Sequence, residues 1–455
     1  MYERMARPLS IRLWPRVSLG LNTGPEASAG TGLQETVSMG ERKRRIGMGL
    51  VGPGFVAAHH LDAVRRLGDV DVIAIAGSSQ AATDRKAADL HVDKAYGSYQ
   101  DLIDNPDIEV VHNTTPNYLH LDVSMAAIKA GKHVISDKPL AMTYAECSML
   151  RDAAQAAGVV NVVTFNYRGN PLVQHARRMA AENDIGQLFF LHGRYLQDWM
   201  ADDHVYSWRL DKKKGGSSSA LADIGSHWCD LAQHISGLKI VAVLAEMTTV
   251  VKTRYAPAVP REAFSGKDGK VMDPVEIGSE DLASVLLRFN SGATGCLSVG
   301  QITPGHKNDL EIELNGRTGS LRWNQENQNE LWIGRYDRPN SVMARDPSQL
   351  PDGARRYAQL PAGHNEGWSD AFRNVIDDAY SWIRAEGDTD ARPATICTFA
   401  DACQICAVVE AMLLSHQAGG VWQMVVDEAS PSLKIRSTVP ENGLLSEYVA
   451  TKAGS

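Results

Sequence analysis

Three side chains in this chain have the types and placement to move a proton off a hydroxyl: Lys138, Asp223 and His227. Lys138 stands in Asp137-Lys138-Pro139, and the other two in Asp223-Ile224-Gly225-Ser226-His227. An imidazole titrates near neutrality and can accept a hydroxyl proton. A lysine can hydrogen-bond the same oxygen and stabilise the alkoxide that develops. Asp223, four residues before His227, can share its helix face and either orient it or contact a second hydroxyl. Each has a plainer alternative: a surface lysine, a helix N-cap aspartate, a surface histidine. Weight comes from a turn upstream, Gly52-Pro53-Gly54-Phe55-Val56-Ala57.

That turn follows an apolar run and opens a helical pattern, the context of a dinucleotide-binding fingerprint. Gly52 permits the tight turn, Gly54 lets a pyrophosphate approach, and Ala57 is small enough for helix–strand packing. Phe55 and Val56 begin a helix whose N–H groups face phosphate. The alternative is a glycine turn without a ligand. The next strand ends Ala76-Gly77-Ser78-Ser79, with no acidic residue to hold a ribose 2′-hydroxyl. Ser78, Ser79 and Arg85 could accept a 2′-phosphate, or be ordinary loop and helix-surface residues. NAD and NADP both stay open as the cofactor. With a nicotinamide accepting hydride, the three side chains suit oxidation of a secondary hydroxyl.

Tyr195-Leu196-Gln197-Asp198-Trp199 and Ser207-Trp208-Arg209 are dense in hydrogen-bonding groups and indoles. A sugar site needs that mix, polar groups for hydroxyls and rings for the apolar face. An oligomer interface would use the same residues. His364-Asn365-Glu366-Gly367-Trp368 has similar character and a weaker claim.

The elements that position these residues follow from periodicity. Short apolar runs at 46–51, 70–76, 110–115, 133–136 and 159–165 alternate with helical patterns at 55–67, 81–90, 119–130 and 143–157. This alternation predicts a doubly wound parallel sheet of the Rossmann type over residues 45–165. Strand-like segments at 186–199, 240–251, 281–289, 294–302, 310–314 and 320–323 follow, several joined by Asn/Gly turns. With helices at 220–235, 366–385 and 395–415, they predict a C-terminal α+β domain over 166–430 on a large, mostly antiparallel sheet. Residues 252–280 and 335–362 read as polar loops, and 431–455 as a tail. Residues 1–44 are expected to be a disordered or non-native extension; the first 38 lack periodicity and an apolar signal core.

The chain has 455 residues, enough for two domains, and a net charge of −8, which argues against a nucleic-acid surface. No apolar stretch is expected to span a membrane. Six scattered cysteines suggest reduced thiols and a cytoplasmic protein. Cys403 and Cys406 have redox or zinc spacing, but lie in a helical pattern where they share a face; no bound metal is expected.

Together these residues resemble the glucose–fructose oxidoreductase/inositol dehydrogenase (Gfo/Idh/MocA) family over roughly residues 45–425. The resemblance rests on the turn at Gly52 with His59-His60, Thr115-Pro116-Asn117-Tyr118-Leu119-His120, Gly131-Lys132-His133-Val134, Asp137-Lys138-Pro139 and the Asp223–His227 segment. The family's usual Glu-Lys-Pro stands here as Asp-Lys-Pro. The resemblance implies that Lys138, Asp223 and His227 are catalytic, with His227 the proton acceptor. It places Thr115, Pro116 and Asn117 at the nicotinamide, with His120 and Asp137 also on the cofactor side. Asn166-Tyr167-Arg168 would open the substrate domain. Asn166, Tyr167, Gln197, Trp199, Trp208 and Arg209 are then the expected substrate contacts. It also implies a homodimer or homotetramer through the C-terminal sheet. The segments around Trp199 and Trp208 look most like the branch that oxidises a pyranose at C3. Two other readings stay open: a glycoside-cleaving enzyme that retains its NAD, and a non-catalytic nucleotide-binding regulator.

Overall fold

Strand β1 (Ile46–Val51) is buried along its whole length, as a central parallel strand must be. The structure, a computed structural model, describes residues 44–257 and 272–426. The expected extension up to residue 43, part of the expected polar loop at 252–280 and the expected tail at 431–455 lie outside the described residues. From β1 the chain passes to α1 (Phe55–Leu67), β2 (Val70–Ala76), α2 (Gln80–Leu90), β3 (Ala95–Tyr96), α3 (Tyr99–Ile103), β4 (Val110–Asn113), α4 (His120–Lys129), β5 (His133–Ser136), α5 (Tyr144–Ala157) and β6 (Asn161–Val163). The six strands pair in parallel in the order β3-β2-β1-β4-β5-β6. The order reverses at β1, so the segments after β1, β4 and β5 gather at one carboxyl edge, where such sheets bind ligands.

The second half contains α6 (Pro171–Ala181), β7 (Leu188–Leu196), α7 (Lys212–Gly215), α8 (Ser226–Ser236), β8 (Ile240–Thr248), β9 (Thr253–Pro257), β10 (Met272–Glu276), β11 (Leu282–Phe289), β12 (Thr294–Gly300), β13 (Asp309–Gly316), β14 (Gly319–Asn324), β15 (Glu330–Arg335), β16 (Ser341–Ala344), α9 (Asp352–Arg355), α10 (Trp368–Arg384), α11 (Phe399–Gln417) and β17 (Gln423–Met424). Nine of the strands form one sheet, ordered β16-β15-β14-β13-β7-β12-β11-β8-β17. Only the β7–β12 pair is parallel. Along β11, Ala283, Val285, Leu287 and Phe289 are buried and the residues between them are not. That period of two gives the sheet one apolar face for the helices to cover.

Helix α8 lies on this face. Trp228 is fully buried there, and its indole donates to the Glu311 carbonyl at 3.0 Å. Arg168 clamps α8 from the other side: its Nη2 reaches Asp230 Oδ1 at 2.5 Å, and both side chains are buried. Removing one partner of such a pair leaves a buried, uncompensated charge and costs about 3–5 kcal/mol.

The structure corrects three expectations. The segments 252–280 and 335–362, expected as polar loops, contain strands: β9 pairs with β10, and β16 joins the large sheet beside β15. Residues after 165 do not all belong with the second sheet: α10 packs on α1, and Phe372, Ile376, Ala379 and Tyr380 share a core with Leu61, Val64 and Ile135. A helical period shows that a face is buried, not what buries it. Also, α11 does reach the length and composition of a membrane span, 19 residues at a mean hydropathy of 1.3. It packs against β8 and α5, which accounts for its apolar character.

Candidate active site

The three side chains singled out by type meet at the carboxyl edge of the parallel sheet. Lys138 follows β5, in a segment whose Lys138–Pro139 peptide is cis. Its Nζ donates to Asp223 Oδ1 at 2.8 Å and to the Asp223 carbonyl at 2.5 Å. Asp223 lies in a π-helical turn, Leu221–Gly225, that runs into α8. Such turns interrupt helices mostly at functional sites. Asp223 does not pair with His227 as the spacing suggests; three other side chains take up its carboxylate. The Asp223 carboxylate takes Lys138 and Arg209 (Nε, 3.3 Å) on Oδ1, and Gln301 (Nε2, 2.7 Å) on Oδ2. Burial alone would raise its pKa. The Lys138 and Arg209 charges, with the hydrogen bonds from Lys138 and Gln301, outweigh burial and hold the carboxyl well below its usual range. Asp223 is therefore an ionised partner for Lys138 rather than a proton carrier.

His227 is buried to 8% exposure, on the first turn of α8. Its ring meets Phe165, Tyr167 and Tyr195 edge-on, with centroids 5.4, 5.1 and 6.2 Å away. Burial pushes its pKa well below the usual histidine value, Lys138 pushes further, and Asp223 opposes them. The imidazole is thus neutral at neutral pH, the form that can accept a proton. Nδ1 is buried without a hydrogen-bond partner.

Behind His227 runs a polar chain. The Tyr167 and Tyr195 hydroxyls lie 2.7 Å apart, Tyr195 donates to Asn308 Oδ1 at 2.7 Å, and Asn308 Nδ2 donates to Tyr167 at 3.2 Å. Gln197 Nε2 donates to the same Asn308 oxygen, and Trp199 Nε1 donates to Gln197 Oε1. The Tyr167 hydroxyl and the Gln197 amide, expected to face substrate, are thus engaged by the protein. Trp208 lies under the Arg209 guanidinium, 4.8 Å from ring centroid to carbon. Arg209 Nη1 and Asn166 Nδ2 are buried donors with no protein partner.

On the cofactor side, Gly52 has φ 91°, and a Cβ there would stand 2.7 Å from the Thr115 backbone. Only glycine fits. Gly54 is the N-cap of α1, and a Cβ there would meet nothing within 4 Å. The first turn of α1 has no acidic residue and no side-chain cap, so the positive end of the helix dipole faces no competing carboxylate there. Open space at Gly54 beside this helix end fits a dinucleotide pyrophosphate. Ala57 is fully buried, Val56 half-buried, and Phe55 exposed with its ring edge-on to His59. Ser78 and Ser79 are exposed at the end of β2, and Arg85 is exposed on α2. Thr115 bonds Asn113 Oδ1 at 2.7 Å, and Asn117 Nδ2 reaches the Gly215 carbonyl at 3.2 Å, beside the half-buried Pro116. Asp137 accepts from Thr164 at 3.0 Å. His120 departs from expectation. Both ring nitrogens are taken up by protein carbonyls, Thr115 and Pro139, each at 2.7 Å. It braces two segments of the site and has no nitrogen free for a ligand.

Two residues of the site carry no sequence signal. Gln301 follows β12 and fixes Asp223. Glu280 precedes β11, and its Oε1 accepts from Ser218 Oγ (2.6 Å), Ser219 N (3.0 Å) and Leu221 N (2.9 Å), capping the π-helical turn.

Comparison with known proteins matches both halves of the chain. Residues 46–165 match the family described as oxidoreductase family, NAD-binding Rossmann fold, and residues 173–322 match the GFO/IDH/MocA C-terminal domain. The chain is 33% identical over 301 residues to a levoglucosan dehydrogenase of Pseudarthrobacter phenanthrenivorans, covering 64% of this chain and 76% of that protein. A solved levoglucosan dehydrogenase in complex with NADH and levoglucosan superimposes with a TM-score of 0.75 at 27% identity, covering 84% of this chain and all (100%) of that one. An NAD-binding oxidoreductase from Klebsiella pneumoniae gives the same TM-score, 0.75, at 31% identity and the same coverage, 84% and 100%. With both halves matched in order around one site, the chain belongs to the Gfo/Idh/MocA family of NAD-binding oxidoreductases.

Proposed function

We propose that the protein oxidises a secondary hydroxyl of a sugar, glycoside or cyclic polyol. The observation that carries this reading is the Lys138–Asp223 pair, 2.8 Å between Nζ and Oδ1, beside a neutral, buried His227. The bound nicotinamide supplies the hydride acceptor at C4. His227 takes the hydroxyl proton as the hydride leaves the carbinol carbon. Lys138 donates to the same oxygen and stabilises its growing negative charge. Asp223, held by Gln301, keeps Lys138 in place. The N–H groups of the first turn of α1 bind the pyrophosphate, with Gly52 and Gly54 clearing its path. Arg209 Nη1 and Asn166 Nδ2, which lack protein partners, donate to substrate oxygens. The finer reading is a pyranose oxidised at C3; the 33%-identical relative is named a levoglucosan dehydrogenase.

The test is a screen of sugars, anhydrosugars and cyclic polyols with NAD and NADP supplied separately, following absorbance of reduced nicotinamide. Stoichiometric NAD(P)H with one of them is expected. Glycoside cleavage without net reduction would favour the NAD-retaining hydrolase. Tight cofactor binding with no reduction by any compound would favour a regulator.

A further inference from the structure

None of the six cysteines takes part in the chemistry above, yet two of them touch. Cys147 on α5 and Cys406 on α11 bring their sulfurs to 2.9 Å as free thiols. Unbonded sulfurs so close need only small side-chain movements to join. The two differ in access. Cys147 is fully buried, while Cys406 is half-buried and lines a cavity of about 250 Å³. The cavity wall includes Pro139 to Tyr144, the segment that follows Lys138. Ala222 of the π-helical turn and Ser226 just after it form another part of it, and so does Phe165, which meets the His227 ring. Cys406 also points its thiol at the Ala141 carbonyl, 3.9 Å away. One thiol therefore contacts both a potential bonding partner and the backbone behind the Lys138 turn.

We propose that Cys147 and Cys406 form a peroxide-sensitive thiol pair, closing to a disulfide that reorganises the segment following Lys138. The oxidant is hydrogen peroxide, small enough to enter the cavity. The Cys406 sulfur attacks the peroxide, the O–O bond breaks, and Cys406 becomes a sulfenic acid while one water leaves with the thiol proton. The Cys147 sulfur then attacks the sulfenic sulfur. The S–S bond forms, the S–O bond breaks, and the departing hydroxide takes the Cys147 proton as a second water. Two thiols give two electrons and two protons, and one peroxide becomes two waters. Burial pushes the Cys147 thiol well above its usual value, so Cys147 acts second and loses its proton only to that hydroxide. Bonding turns Cys406 away from Ala141, and the segment from Pro139 loses that contact.

Cys403 is the control. It sits one turn earlier on α11, also neighbours Cys147, and is almost wholly buried at 3% exposure. The experiment treats the reduced full-length chain with hydrogen peroxide, blocks remaining thiols, and maps peptides by mass with fragmentation. A linked peptide pair lacking two hydrogens, bonded at 147 and 406, is expected, and dithiothreitol should remove it. Amide exchange should change several-fold over residues 139–146 in the linked protein, and revert on reduction. Cys403→Ser should keep both effects and Cys406→Ser should abolish both; its half-exposed position makes the serine easy to accommodate. No link, a link to 403 instead, or a complete link with unchanged exchange at 139–146 would each overturn the proposal.

Discussion

Gln301 holds the side of Asp223 that Lys138 does not. Its Nε2 donates to Oδ2 at 2.7 Å, while Lys138 Nζ occupies Oδ1 at 2.8 Å. The carboxylate is thereby fixed in rotation as well as in charge. In Gln301→Leu, Oδ2 stays buried without a donor, a penalty of about 1–3 kcal/mol. That should lower kcat by roughly tenfold or more, with cofactor affinity little changed. The acid limb of the pH profile should also move upward, because a carboxylate losing a donor is easier to protonate. Steady-state kinetics across pH reads both effects; an unchanged profile would show that Gln301 only fills space.

Lys138→Ala and His227→Ala remove groups that act mainly in the transition state. Each should lower kcat by about a hundredfold or more. Cofactor dissociation constants, measured by fluorescence titration, should stay within a few-fold. Near wild-type turnover by both variants would remove the proposed chemistry. Since burial and Lys138 keep His227 neutral to well below its ordinary pKa, wild-type activity should not fall merely because pH passes 6.5.

The end of β2 offers Ser78 and Ser79 and no carboxylate, so NADP should be at least tolerated. Titration of both cofactors checks this. Discrimination against NADP beyond about a thousandfold, roughly 4 kcal/mol, would point to an acidic ribose ligand elsewhere.

His60 on α1 pairs with His112 on β4. His60 Nδ1 and His112 Nδ1 are 2.9 Å apart, and His112 Nε2 meets the Tyr380 hydroxyl at 2.9 Å. Burial lowers the pKa of His60 to about 4 and drives His112 well down too. Between pH 6.5 and about 4 the unfolded chain binds protons that the folded chain refuses. Stability is therefore full above pH 6.5 and falls as pH drops through that window. At pH 5.5 the loss from His60 alone is on the order of 1 kcal/mol, growing to a few kcal/mol near pH 4. Urea unfolding at several pH values should show the slope, and His60→Gln should reduce it. Flat stability between pH 7.5 and 5 would contradict the assignment.

The parallel sheet and its glycine turn are legible because buried strands and left-handed turns restrict residue type locally. Lys138 is legible for the same reason, as a lysine at a strand end. Gln301 is not: its partner Asp223 is 78 residues away, and nothing near it in the chain marks it. Asp223 itself was visible but its partner was not. Spacing points to His227, but the partner Lys138 lies 85 residues upstream and nothing local marks the two as a pair. His120 sits in a recognisable segment, and one carbonyl on its ring, Thr115, belongs to that segment; the other, Pro139, comes from the strand end beside it.

The return of α10 onto α1 bears on how this enzyme could be engineered. Phe372, Ile376 and Tyr380 complete the core beneath the nucleotide-binding helix. The cofactor half is therefore not a transplantable module ending at residue 165. A chimera that exchanges residues 44–165 alone would leave α10 facing a foreign helix. A graft meant to change cofactor preference must carry α10 with it, or confine itself to the rim at Ser78 and Ser79.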